Sequence, residues 1–231
     1  MLSHVYSEGP APVSGCVLWR RSRTTAPSRH RVLPDGCVDL IAVDDRLLVA
    51  GPDTVAHIAD IAAGETYTGV RMGPGIGPAV LGLPGTELLD LRVPLEALWP
   101  MATVRRLAGR LADGDPAAVL FEVIAERLAR AEPDPVMRAA ARWALAGRPV
   151  AAIAAGTGLS ERHLHRRCQF SFGYGLKTLS RIGRLDRALA LARAGAPLSR
   201  AATDAGYADQ PHFTREVRAL AGVPPGRLLA A

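Results

Sequence analysis

Two stretches in the C-terminal third of the chain repeat one plan, and that plan leaves few folds open. In VAAIAAGTGLSERHLHRRCQF (Val150–Phe170) a short apolar helix carrying Val150, Ile153 and Ala154 runs into Gly158. Glycine is free to take the left-handed turn that ends such a helix. Ser160 then has the chemistry of an N-cap, with Glu161 and Arg162 in the first turn of a second helix. Leu164 and Cys168 are four apart and face inward, while Arg162, His165, Arg166 and Gln169 fall on the other side. The second stretch, SRAATDAGYADQPHFTREVRALAGVPP, repeats this. Ala201, Ala202 and Ala205 make a small-residue helix, Gly206 turns the chain and Asp209 caps. Pro211 sits in the first helical turn, where its missing N–H costs little. Phe213, Val217 and Leu220 form the apolar stripe; Gln210, His212, Thr214, Arg215 and Arg218 are polar.

Helix-turn-helix units with small residues at the crossing let the second helix protrude, as entry into a major groove ~12 Å wide requires. Between the caps the sequence predicts a helix over Leu179–Arg193, with Leu185, Leu189 and Ala192 at core spacing. A helix of about 15 residues is roughly 22 Å long, enough to set two recognition helices about one DNA turn apart on one face of a duplex. Charge agrees. From Pro135 onward there are 15 Lys and Arg against 5 Asp and Glu, and before it 13 against 17. Polyanion binding therefore localises to the C-terminal part.

The segment resembles the AraC/XylS family of bacterial transcription regulators. The matching residues are IAAGTGLSERHLHRRCQFSFGYG, RLDRAL and AATDAGYADQPHFTREVRALAGVPPGRLL, above all Ala205–Arg215 followed by Gly222 and Pro224. The family usually has Pro at Leu176, an Ile-Ala pair at Arg200-Ala201 and Phe at Tyr207. Leu176 is expected to loosen the turn before the linking helix, and Arg200 to weaken packing of the second unit. The resemblance implies base contacts from Arg162, His165 and Arg166 in the first recognition helix. In the second it implies Gln210, Pro211, His212, Thr214 and Arg215. The chemistry suits the roles: Arg grips guanine O6 and N7, Gln grips adenine, and Thr touches a thymine methyl. Ser160, Arg167, Lys177, Arg181, Arg184 and Arg218 are candidates for phosphate contacts, which position without specifying. The competing role for an exposed Arg is plain solvation, and for His212 bracing of the turn; His163 and Cys168 are expected to pack. The resemblance also brings in double-stranded DNA as partner, with RNA polymerase, an unidentified small effector and a second copy of the chain as candidates.

The fold class expected is α+β, with an N-terminal sensor or dimerisation domain over 1–132 and an all-α DNA-binding domain over 135–231. Short strands are expected at Cys16–Arg20, His30–Val32, Val38–Val43, Leu47–Ala50 and Thr66–Val70, with a hairpin turn at Asp44-Asp45. Strands are expected to end by about residue 72. Helices follow over Gly77–Leu81, Leu95–Trp99, Val104–Leu111, Ala117–Ala131 and Val136–Ala146. Leu107, Leu111, Leu120, Phe121, Ile124 and Leu128 fit either a subunit interface or an internal core. LPDGCVDLI (Leu33–Ile41) and GVRMGPGIGPAVLGLP resemble an N-terminal domain of unestablished function seen on some AraC-type regulators, by resemblance a reduced relative of the cupin-like β-barrel. Asp39, Asp53, Tyr67, Arg71 and Trp99 are candidate pocket residues.

Other classes fare worse. There is no apolar run long enough to span a bilayer and no signal pattern, so a cytoplasmic protein is expected. Three widely spaced cysteines, Cys16, Cys37 and Cys168, suit a reducing compartment. His30, Cys37, Asp39 and His57 match no zinc spacing, and no Gly-Lys-Ser/Thr follows the glycines of 73–85, so neither metal nor cofactor is expected. An alkyl-transfer repair enzyme fused to this reader would need a reactive Cys37, which has no base or metal beside it in the sequence. A protein-interaction module would not need the basic C-terminal charge. No catalytic residues are assigned.

Overall fold

The computed structural model describes residues 6–22 and 25–230. The alternation of VDLIAV decides the N-terminal architecture. In β4 (Val38–Val43) Val38, Leu40 and Ala42 are buried on one face while Asp39 and Ile41 look the other way, the period-2 pattern of a strand. β4 sits inside a six-stranded antiparallel sheet of order β1-β2-β7-β4-β5-β8. Its other strands are β1 (Tyr6–Pro10), β2 (Cys16–Arg21), β5 (Arg46–Ala50), β7 (Tyr67–Met72) and β8 (Arg92–Pro94). β3 (Ser28–Val32) and β6 (His57–Ile61) form a separate two-stranded sheet and, among the described residues, pair only with each other. The β4–β5 hairpin turns through Asp44-Asp45, with Val43 opposite Arg46 and Asp44 at φ 52°, as a two-residue turn demands.

One face of the large sheet is covered by helices: α1 (Gly77–Leu81), α2 (Gly85–Leu88), α3 (Met101–Asp113) and α4 (Pro116–Leu128). Leu40, Val70 and Met72 from the sheet pack there with Val80, Leu107, Leu111, Leu120 and Ile124. The candidate interface leucines are thus largely internal core, with Phe121 and Leu128 packed at its edge. Trp99 is buried in this core too, its Nε1 donating to the Leu81 carbonyl at 3.0 Å. Strands do not stop at residue 72. β8 follows α2, and β1 and β6 were not legible in the sequence, because the first carries Gly9 and Pro10 and the second is half-exposed. Leu95–Ala97 is a single 3-10 turn where a helix to Trp99 was expected, since Pro94 and Pro100 bracket it.

Beyond α4 the chain is helical. α5 (Pro135–Leu145), α6 (Val150–Thr157), α7 (Glu161–Phe172) and the N-terminal half of α8 (Leu176–Arg193) share one core. The C-terminal half of α8, α9 (Leu198–Ala205), α10 (Gln210–Ala221) and α11 (Pro225–Leu229) share another. α8 runs through both and begins three residues before the expected start. Leu176 is buried in its first turn, so the residue that stands for proline seats the helix instead of loosening it. Arg200 also carries no packing penalty: it is exposed and pairs with Asp204, while Ala201 beside it is buried.

Candidate nucleic-acid interface and ligand cavity

Both recognition helices are built as their residues dictate. Gly158 (φ 67°) and Gly206 (φ 91°) end α6 and α9 in the left-handed conformation, which costs any residue with a Cβ. Ser160 Oγ accepts from the His163 N–H at 3.3 Å, and an Asp209 carboxylate oxygen accepts from the His212 N–H at 2.6 Å. Each satisfies one otherwise orphaned donor of the first turn. Leu164, Cys168 and Phe172 anchor α7; Phe213, Val217 and Leu220 anchor α10.

On the outer face of α7, Arg162, His165 and Arg166 are all exposed. On α10, Gln210, Pro211 and Arg215 are exposed, and His212 and Thr214 half-buried. His212 is also committed to the turn: its Nδ1 accepts from the Ala208 N–H at 3.4 Å and its ring meets Tyr207 edge-on. His163 is exposed and not a packing residue, whereas Cys168 is fully buried. Phe170, exposed on α7, was missed, since an aromatic beside a core stripe is ordinarily assigned to the core.

The phosphate candidates divide. Ser160, Lys177 and Arg218 are exposed, Ser160 while its Oγ caps α7. Arg167 pairs with Asp134, the N-cap of α5. Arg181 and Arg184 both pair with Glu216 of α10, at 3.0 and 3.5 Å, and the Arg184 guanidinium lies over the Tyr207 ring. These three arginines spend part of their charge bracing helices against one another.

The N-terminal region holds a cavity of about 630 Å³ between the uncovered face of the large sheet and the small sheet. Asp39, Tyr67 and Arg71 line it as expected. Asp53 does not; it is buried behind, paired with Arg92, and Trp99 belongs to the core on the other face. Trp19, which no sequence motif marks, lies across Gly69, where an added Cβ would fall 2.6 Å from its Nε1. The indole N–H donates to Asp39 at 2.6 Å. One guanidinium, Arg71, is shared by Glu8 (2.9 Å), Asp35 (3.1 Å) and Asp39 (3.7 Å).

Burial raises the Asp39 pKa from 3.8 to about 6, against the opposing pull of Arg71, with Asp35 adding to the rise and the Trp19 hydrogen bond opposing it. A carboxyl whose folded pKa exceeds its unfolded value lowers stability progressively as pH rises from the lower to the higher value. Asp39→Asn, uncharged throughout, is therefore expected to gain stability on the parent between pH 4 and 6, by up to roughly 3 kcal/mol at neutral pH. Urea unfolding at several pH values reads this directly, and a pH-independent gap would show that the carboxyl is unperturbed.

Burial also pushes the Cys37 thiol well up, reinforced by Asp35 and Asp39. The thiolate that alkyl transfer needs is therefore disfavoured. The Cys37 N–H donates to Asp35 Oδ1 at 2.9 Å, the turn that the PDG sequence was expected to make. Among the described residues no three His, Cys, Asp or Glu side chains group as a metal site, and no helix is long and apolar enough to cross a membrane.

Two capped recognition helices with basic outer faces, joined by one long helix, define a double helix-turn-helix DNA-binding protein. Residues 153–231 match the family model described as a helix-turn-helix domain, and residues 15–94 match a domain of unknown function, DUF6597. Residues 153–231 thus carry a helix-turn-helix domain of the AraC type, and the chain is a DNA-binding transcription regulator. Among solved structures it is similar to ToxT from Vibrio cholerae, at 10% identity over 93% of this chain and 96% of that one, TM-score 0.47. ToxT bound to (E)-4-(8-methylnaphthalen-1-yl)but-3-enoic acid is similar at 11% identity over 92% and 97%, TM-score 0.47. A probable AraC family transcriptional regulator from Rhodopseudomonas palustris is 28% identical over 42% of this chain and 96% of its own, TM-score 0.38. No curated protein matches the chain.

Proposed function

We propose that this regulator reads a promoter site through two successive major grooves, one recognition helix in each, and that the cavity between its sheets takes a small effector. The observation that carries the first part is the pairing of exposed faces, Arg162, His165 and Arg166 on α7 with Gln210, Pro211 and Arg215 on α10, across a linking helix of 18 residues. At 1.5 Å per residue that helix is about 27 Å long, short enough to keep both readers on one face of a duplex whose turn is ~34 Å. Thr214 adds a methyl contact, and His212 acts mainly through the turn it braces. Phosphate contacts fall chiefly to Ser160, Lys177 and Arg218, with Arg167, Arg181 and Arg184 contributing charge from behind their ion pairs.

The functional division runs at the Glu132–Pro135 segment, giving a sensor domain over 1–132 and a DNA-binding domain over 135–231. The core of the first ends at Ile124 and that of the second begins at Met137. The protein is not an enzyme, works in the cytoplasm, and acts on RNA polymerase as a homodimer or a monomer. A ligand regulates it only by favouring one arrangement of the two readers over another.

A fragment from Pro135 to Ala231 is expected to fold by itself and bind DNA with a steep salt dependence, losing roughly 0.9 log units of affinity per log unit of salt for each neutralised phosphate. Circular dichroism and a salt titration of binding test this. A disordered fragment would move the boundary, and a flat salt response would favour a protein partner for these helices over DNA.

A further inference from the structure

The two walls of the cavity are fastened to different readers. The large sheet carries α1 and α2, and these hold the first unit: the Gly85 and Gly173 backbones meet so closely that a Cβ on Gly173 would lie 2.7 Å from the Gly85 carbonyl oxygen. Leu89 packs into the core shared by α5, α6 and α7. The small sheet holds the second unit. Arg31 of β3 donates from Nη1 to the Ala221 carbonyl at 2.6 Å, and the Ala56 N–H, just before β6, donates to the Leu220 carbonyl at 2.6 Å. Leu33, just after β3, packs into the core of the second unit. Both carbonyls lie in the last turn of α10, where they have no partner within the helix. β3 and β6 pair with no strand of the large sheet, so this wall can shift without breaking a ladder. Arg31 also lines the cavity, as do His30 and Ala59 beside it.

We propose that the β3–β6 sheet transmits cavity occupancy to the second reader, with Arg31 as the positioning residue that holds the end of α10 to the cavity wall. The inference rests on the reading of the cavity as an effector site. An occupant that displaces the small sheet pulls the C-terminal end of α10 relative to α7 and so changes the separation of half-sites the protein prefers. Fixed packing between α8, α9 and α10 resists this, and the Glu216 pairs with Arg181 and Arg184 are the contacts that must yield.

The test needs no ligand. Ala59→Trp places a bulky side chain in the cavity from the small sheet and touches neither reader. Binding of the full-length protein is measured on duplexes whose two half-sites are separated by the optimum spacing and by one base pair more or less. The discrimination between spacings is expected to change about fivefold or more in Ala59→Trp, within the usual range of coupling between sites. In an Arg31→Ala background the same substitution should change it less than about twofold, and Arg31→Lys should restore part of the response. Arg31→Ala alone should leave affinity for an isolated second half-site intact, which a merely destabilised α10 would not. Ala59→Leu, a smaller filler, serves if the tryptophan variant loses its circular dichroism spectrum. Unchanged spacing discrimination in both filled variants, or an equal change with and without Arg31, overturns the proposal. The effector reading is judged separately, by Trp fluorescence of the parent against a small-molecule panel: absence of any binder would sink that reading while leaving the spacing result standing.

Discussion

Replacing Gly183 by alanine is expected to destabilise the DNA-binding region by about 3 kcal/mol, the upper part of the range for overpacking a tight core. Gly183 is where α8 crosses α5. A Cβ there would collide with the Leu145 carbonyl and lie 2.7 Å from Leu145 Cα. These are backbone atoms, so relief requires the two helices to part. Arg187, one turn further along α8, donates to the same Leu145 carbonyl, so parting breaks that bond as well. For a unit of about 100 residues, the loss corresponds to a melting temperature lower by roughly 12–24 °C. Because α8 carries both helix-turn-helix cores, specific DNA binding should fall with it. Differential scanning calorimetry of the full chain reads the shift, and an unchanged melting temperature would mean that the α5–α8 crossing is looser than described.

Exchanging Arg166 and Arg215 together for alanine is expected to erase sequence discrimination while leaving the fold and non-specific binding largely intact. Each lies exposed on a different recognition helix and has no ion-pair partner among the described residues. A bidentate Arg–guanine contact is worth about 1–3 kcal/mol of discrimination. The two sites belong to separate helices with separate cores, so their effects should add. The combined loss at the specific site is then about 2–6 kcal/mol, between about thirtyfold and twenty-thousandfold in affinity, against little change on random DNA. Equal losses on both kinds of DNA would make these residues phosphate contacts instead.

The DNA-binding part was legible because its signals are local. Gly158 and Gly206 need the left-handed conformation, Ser160 and Asp209 cap the helices that follow, and the apolar stripes of α7 and α10 recur at helical spacing. What escaped was long-range. Arg181 and Arg184 read as free cations until α10 brings Glu216 against them from 32 or more residues away. In the N-terminal part β4 announces itself by alternation, whereas β1 and β6, at or near the surface, carry no such pattern. The cavity was half visible: Asp39, Tyr67 and Arg71 were candidates, but Trp19 enters only because Gly69, on the neighbouring strand, leaves room for its ring. Asp53 and Trp99 suit a cavity by chemistry alone, but both lie outside the strands, Asp53 paired with Arg92 and Trp99 in the core on the helix-covered face.

The central claim is that two recognition helices read two adjacent grooves. Selection of duplexes from a random library by the full-length protein, followed by sequencing, tests it most directly. The account predicts enrichment of a site with two conserved blocks about one helical turn apart, the block read by α7 degenerating in Arg166→Ala and the block read by α10 in Arg215→Ala. A single short block, unaffected by one of the two substitutions, would contradict it and leave one helix-turn-helix as a brace instead of a reader.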